Sequence, residues 1–151
     1  MDISSKIFVT GHNGLVGSAL IRNLKKAGYN NLVVATRNQL DLTQSEEVEN
    51  FFNQHHPEYV FLCAAKVGGI FFNKSKPGEF IRENLLIQTN VIHSAAKNNV
   101  KKLCFLASAS CYPEDAASPI HESAFMSGPL DDTNSAYSIS KIAGYTMCKK
   151  Y

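Results

Sequence analysis

Short, almost unbroken apolar runs alternate along this chain with longer stretches of helical periodicity, and no other feature narrows the possible folds so far. A run that is apolar throughout needs cover on both faces, as strands of a parallel sheet do, and the helices between such strands are the crossovers that a parallel sheet requires. The runs are Lys6 to Thr10, Leu32 to Ala35, Tyr59 to Cys63 and Lys102 to Ala107. Between them, Leu15 to Ala27 reads as a helix closed at Gly28. Thr43 to Gln54 reads as a helix opened by a Thr43/Glu46 capping box, with Val48, Phe51 and Phe52 on one face. Glu79 to Asn98 carries Ile81, Leu85, Ile92 and Ala96 at core spacing, and a fourth helix begins near Ser135 and is still running at Tyr151. With 151 residues, 44% of them hydrophobic, the chain has the means for one substantial core.

The first run leads into Gly11, His12, Asn13, Gly14, Leu15, Val16 and Gly17, a Gly-x-x-Gly-x-x-Gly turn that opens the first helix. Glycines there permit a sharp turn, let a pyrophosphate reach the backbone and pack the helix against the strand, while free amides and the positive helix end face the phosphates. Alone, such a triplet can be no more than a tight turn; between a strand and a helix it predicts nucleotide binding. The expected class is therefore α/β, a Rossmann-type doubly wound parallel sheet. Such a sheet ordinarily continues past its fourth strand, so residues 1–151 read as the N-terminal part of a dinucleotide-binding domain, stopping before the later strands and any substrate domain.

NAD-selective sites place an acid at the end of the second strand to hold the ribose hydroxyls, but here that strand ends in Ala35, Thr36 and Arg37. Arg37 would pair with a 2′-phosphate, which predicts NADP(H), and otherwise reads as a solvated arginine. Asp41 and Leu42 are placed to bracket the adenine.

Tyr137 and Lys141 stand four apart at the start of the last helix and share a face. A nearby ammonium favours the phenolate, which makes a tyrosine serviceable in acid-base work at neutral pH, and the lysine can also hold a cofactor ribose. Ser108 follows the fourth strand, on the side where parallel sheets bind ligands. Hydride transfer to a carbonyl builds negative charge on its oxygen, where a proton from Tyr137 and a hydrogen bond from Ser108 would act. The stretch from Ser108 to Asn134 is a long loop rich in Ser, Pro, Gly, Asp and Glu, as functional loops tend to be.

Other features limit the partners. The net charge of +2 is scattered, which predicts no nucleic-acid face and no polybasic membrane anchor. No apolar run reaches membrane-spanning length, and the N-terminus runs straight into a strand pattern, so a cytoplasmic chain is expected. Cys63, Cys104, Cys111 and Cys148 lie far apart, which suits reduced thiols, with Cys104 in a strand interior. The five histidines (His12, His55, His56, His93 and His121) form no ligand pattern, and no metal is expected. Asn84 could orient a water or a backbone group, or serve as a cap, and Lys66 could reach a phosphate or solvent.

Four segments, TGHNGLVGSAL from Thr10, CAAKVGGI from Cys63, FIRENLLIQTNVIHSA from Phe80 and SPIHESAFMSGPLDDTNSAYSISKIAG from Ser118, resemble the GDP-L-fucose synthases, of the extended short-chain dehydrogenase/reductase type. The resemblance implies an enzyme that takes GDP-4-keto-6-deoxy-D-mannose, inverts C3 and C5 and reduces C4 with NADPH. It assigns Ser108, Tyr137 and Lys141 the roles given above, and it lines the cofactor with Ala64, Ala65, Lys66, Leu106 and Ala107. It also implies a homodimer through the helices after the third and fourth strands, with Ile92 and Ile142 as candidates, although core packing explains both as well. Two positions depart from the family. Asn13 stands where many relatives have an arginine, and Ser110 stands at the position of the epimerisation cysteine, with Cys111 one residue later and the partner histidine beyond Tyr151. An extended backbone would turn Cys111 away from the substrate, whereas a one-residue shift would bring it in. Another GDP- or UDP-sugar epimerase or dehydratase, and a nucleotide-binding module without turnover, remain open as readings.

Overall fold

A computed structural model describes residues 1–68 and 75–151 of the chain. Gly69 and Ile70, the end of the CAAKVGGI segment, lie outside the described residues. Strands β1 (Ile7–Thr10), β2 (Leu32–Val33), β3 (Tyr59–Leu62) and β4 (Lys102–Phe105) form a parallel sheet in the order β2-β1-β3-β4. Helices α1 (Leu15–Lys26), α2 (Ser45–His55) and α3 (Pro77–Lys97) are the crossovers, and α4 (Ser135–Lys150) follows a loop with short 3-10 turns at Ala109–Cys111 and Glu122–Ala124. The α/β, Rossmann-type class read from the alternating runs is the observed one.

Period-two alternation in β1 divides the core between the two faces of the sheet. Phe8 points to a cluster with Val60, Leu62, Val48, Phe52, Val91 and Ile92, under α2 and α3. Ile7 and Val9 point the other way, onto Leu24 of α1. The sheet order reverses direction at β1, with β2 on one side and β3 on the other, and the crevice outside the carboxyl ends of β1 and β3 is where such folds bind ligands.

Several local expectations are corrected. β2 pairs only Leu32 and Val33 with β1, shorter than Leu32 to Ala35, because the chain then leaves the sheet towards the crevice. The Thr43/Glu46 capping box does not form. The Thr43 hydroxyl and N–H both donate to Asp41 Oδ1, at 2.8 and 2.9 Å, and α2 starts after Gln44 with no side-chain cap. In α3 the buried face is not centred on Ile81, Leu85 and Ala96; it runs through Phe80, Asn84, Gln88, Val91, Ile92 and Ala95. Two amides are tolerated there because each is bonded, Gln88 to the carbonyl of Ser140 in α4 at 2.5 Å and Asn84 to the β3–α3 loop. Ile92 belongs to the core of this chain and is not free to meet a second copy. Cys104 is exposed, because it points with Lys102 to the face of β4 opposite Leu103 and Phe105, which pack on the core. Among the described residues no helix is long and apolar enough to cross a membrane.

Candidate functional site

The end of β1 is tied to the end of β3 by one hydroxyl. Thr10 Oγ1 accepts from Ala64 N–H at 3.0 Å and donates to Phe61 O at 3.4 Å. That bond draws the glycine turn against the loop after β3, and no side chain fits between them. Gly11 has φ +65°, and a Cβ there would lie 2.9 Å from the Ala64 backbone. A Cβ on Gly17, one turn into α1, would lie 2.2 Å from Gly11 O.

This packing leaves a cleft of about 520 Å3 lined by the whole turn from Gly11 to Gly17, by Thr36, Arg37, Asp41 and Leu42 after β2, and by Ala64, Ala65, Lys66 and Glu83 opposite. The donors suit a phosphate. Gly14 caps α1 with no side chain of its own, the first turn holds no acid, and among the described residues the buried His12 Nδ1 has no hydrogen-bond partner. The Arg37 guanidinium stands at the edge of the cleft, 3.5 Å from Glu83. Asp41 is held below its ordinary value by the N–H and hydroxyl of Thr43, while its own N–H donates to Glu47. Lys66 lines the cleft with its ammonium bound to Glu83 at 2.5 Å and to Glu79 at 3.4 Å.

A second cavity, of about 270 Å3, adjoins the cleft through Val67 and is lined by Gly68, Ser108, Ser110, Asn134 and Tyr137. Ser108 begins the 3-10 turn and its hydroxyl accepts from both the N–H and the hydroxyl of Ser110, at 3.2 and 2.9 Å. The turn decides the relation between Ser110 and Cys111. The backbone coils instead of staying extended, Ser110 comes to the cavity, and Cys111 is fully buried with Sγ 3.9 Å from Ser138 O. Burial raises the Cys111 thiol above its ordinary value.

Tyr137 and Lys141 share a face of α4, but the ammonium turns away from the phenol. Lys141 Nζ donates to Leu106 O at 2.8 Å and lies 4.7 Å from the Phe105 ring centre, against 5.8 Å from that of Tyr137. Burial sets both equilibria: the phenol is raised, with Ser108 pulling in the opposite direction, and the ammonium is lowered. The expected lowering of the tyrosine by its lysine neighbour is therefore absent, because the amine is spent on a carbonyl. Leu106 and Ala107 follow β4 and are not part of the cleft lining; the role of Leu106 here is that carbonyl.

Residues 7–151 match the model of the NAD dependent epimerase/dehydratase family. The chain belongs to that family. The chain is 55% identical over 150 residues to GDP-L-fucose synthase 1 of Arabidopsis thaliana, covering 99% of this chain and 46% of the relative. It is 44% identical over 146 residues to GDP-L-fucose synthase of Escherichia coli, again with 46% of the relative covered. The chain thus spans about half the length of the curated relatives it matches. Among solved structures, MlghC, a GDP-mannoheptose C4 reductase from Campylobacter jejuni with NADP bound, superposes with a TM-score of 0.96 at 46% identity, covering 100% of this chain and 48% of that one.

Beside the cleft, Asn84 orients a backbone segment, one of the roles its place in the sequence left open, whereas Glu83 carried no sequence signal as a site residue. Asn84, left open between several roles, pairs with the Lys66 backbone on both sides, accepting from its N–H at 2.8 Å and donating to its carbonyl at 3.0 Å. It fixes the loop that carries Ala64 to Lys66. Glu83 had no signal in the sequence beyond its neighbour; only the approach of α3 to the loop after β2 brings it to Arg37.

Proposed function

We propose that the protein is an NADP-dependent sugar-nucleotide oxidoreductase, acting on GDP-4-keto-6-deoxy-D-mannose to give GDP-L-fucose. The observation that carries this reading is the meeting of Ser108, Ser110 and Tyr137 around one cavity that opens beside the phosphate-binding cleft. The identity to GDP-L-fucose synthases along the whole chain supports the choice of sugar nucleotide.

A bound NADPH would supply the hydride for C4. The glycine turn from Gly11 to Gly17 and the amide end of α1 hold the pyrophosphate, and Arg37 holds the 2′-phosphate. Asp41 and Leu42 bracket the adenine, and Ala64 and Ala65 form the opposite wall. Ser108 donates a hydrogen bond to the C4 carbonyl oxygen, and Tyr137 gives that oxygen its proton as charge builds there. The phenol is protonated at neutral pH, as a proton donor must be, and its raised value makes it a weaker acid than a free tyrosine. Lys141, seated on Leu106 O, would hold the cofactor ribose by turning from that carbonyl. C3 and C5 flank the ketone, so the same polarisation acidifies their protons for epimerisation. As parts of this reading we carry over a cytoplasmic setting, a homodimer and a substrate domain after Tyr151.

The buried thiol of Cys111 favours a second reading, in which the protein reduces C4 without epimerising. An alkyl hydroxyl does not ionise near neutral pH as a thiol does, so Ser110 in the cavity is a weak base for C3 and C5. Turnover of NADPH with the 4-keto sugar nucleotide tests the shared part of both. Tyr137→Phe is expected to lose about a hundredfold or more, and Ser108→Ala about tenfold to a hundredfold. Unchanged turnover in both variants removes the assignment.

A further inference from the structure

Residues at three-residue steps along α3 carry that helix from one wall of the dinucleotide cleft to the other. Asn84 is bonded on both sides to the Lys66 backbone after β3, and Ile87 lines the cleft. Asn90 turns to the stretch after β2, where its side-chain N–H donates to Leu42 O at 2.9 Å. Each step of three residues falls about 60° short of a full turn, so the contacts swing across one side of the helix. The Asn90 bond differs in kind from those around its target. Thr43 donates twice to Asp41, the Asp41 N–H donates to Glu47 and the Gln44 N–H to the Asp41 carbonyl, so these local bonds shape the turn without fixing where it stands. Packing of the Leu42 side chain on the core holds the depth of the turn, and the bond to Asn90 fixes its orientation, since apolar contact is non-directional and a hydrogen bond is not.

We propose that Asn90 is a positioning residue for the adenine half of the dinucleotide: by holding the Leu42 carbonyl it sets where the wall of Asp41 and Leu42 stands opposite the glycine turn. This rests on the dinucleotide reading of the cleft given above. Asn90 acts through that wall, which lines the cleft, and does not line the cleft itself. Its N–H is the group that matters. A carbonyl only accepts, so the amide donor is matched to it, whereas a carboxylate of the same shape has nothing to donate and repels it. Thr89, the preceding residue, faces the other way, with its hydroxyl 3.7 Å from Met147 Sδ of α4.

The test is calorimetric titration of the protein with NADPH and, separately, with 2′,5′-ADP, the adenine half of the same ligand. It compares the wild type, Asn90→Ala, Asn90→Asp and Thr89→Ala, each well below its melting transition. Both Asn90 variants are expected to weaken 2′,5′-ADP and NADPH by the same factor, about three- to tenfold, the loss of one hydrogen bond, and Thr89→Ala to change neither. Equal factors place the whole loss in the adenine half. Wild-type affinity for 2′,5′-ADP in either Asn90 variant overturns the proposal, as does a loss confined to NADPH. A Thr89→Ala loss of the same size also overturns it, because it marks a helix disturbed along its length. A wild type that takes NADPH but not 2′,5′-ADP overturns the proposal while leaving dinucleotide binding intact. If neither ligand binds the wild type, the dinucleotide reading itself fails and this proposal falls with it.

Discussion

Replacing Gly17 by alanine reverses the sign that helix propensity alone would give. Gly17 is inside α1, where alanine is ordinarily favoured by about 1 kcal/mol. Its Cβ, however, would lie 2.2 Å from Gly11 O, 2.7 Å from Gly11 C and 2.9 Å from His12 Cα, all backbone atoms that no rotamer change can remove. Relief requires α1 or the glycine turn to move, and forced overpacking of this kind costs about 1–3 kcal/mol. Set against the propensity gain, with the clash at the severe end of that range, Gly17→Ala is expected to destabilise by about 1–2 kcal/mol, a fall in Tm of roughly 2–8 °C. The same movement displaces the amides that face the cleft, so dinucleotide affinity should fall by about tenfold or more. Gly78→Ala is the internal control, because a Cβ there meets nothing within 4 Å among the described residues, and a gain of about 0.4–1 kcal/mol is expected. Thermal melts and ligand titration of the two variants decide the matter. A Gly17→Ala chain that melts at or above the wild type and binds NADPH equally well refutes the close-approach argument.

Asn84→Ala removes three bonds from a buried amide, to Lys66 N, Lys66 O and Phe80 O, and should cost about 1–3 kcal/mol in denaturant unfolding while also weakening NADPH; unaltered affinity would show that the loop needs no such tie. Because burial lowers the Lys141 amine in the folded state, the unfolded chain binds more protons at alkaline pH, and stability from this group rises with pH up to the ordinary lysine value. The stability of the wild type relative to Lys141→Met should therefore climb over that window, and a flat difference would contradict the burial of a titrating amine. Ser110→Cys places a thiol in the cavity and is expected to raise solvent exchange at C3 and C5 about tenfold or more, whereas Cys111→Ala should leave exchange unchanged; the reverse pattern would mean that the loop shifts to present Cys111.

The layered architecture was legible wherever local pattern and burial coincide. β1 is the clearest case, since all four of its residues are buried and their alternation fills both faces of the sheet. The glycine turn was legible for the same reason: its spacing serves contacts within a short stretch of chain. What escaped depends on competition or on distance. The Thr43 hydroxyl has two possible local partners, and Asp41, two residues before it, takes it from the helix terminus. Ser110 at the cavity and Cys111 turned away match what an extended backbone predicts, but the backbone that places them is a 3-10 turn capped by the Ser108 side chain, which the spacing did not announce. The Lys141 amine prefers the Leu106 carbonyl to the Tyr137 phenol, a choice made by β4 and invisible from the four-residue spacing. Glu83 supplies an acid that the sequence reading sought only at the end of β2.

The central claim is reduction of a GDP-4-keto sugar at the Ser108–Tyr137 cavity, and the most direct measurement is NADPH oxidation by the protein with GDP-4-keto-6-deoxy-D-mannose in deuterated water, with deuterium followed at C3 and C5 of the product. Oxidation that depends on the sugar nucleotide is the expected result; deuterium at both carbons would assign the full epimerase/reductase, and its absence the plain C4 reductase. Binding of NADPH with no sugar-dependent oxidation would contradict the account.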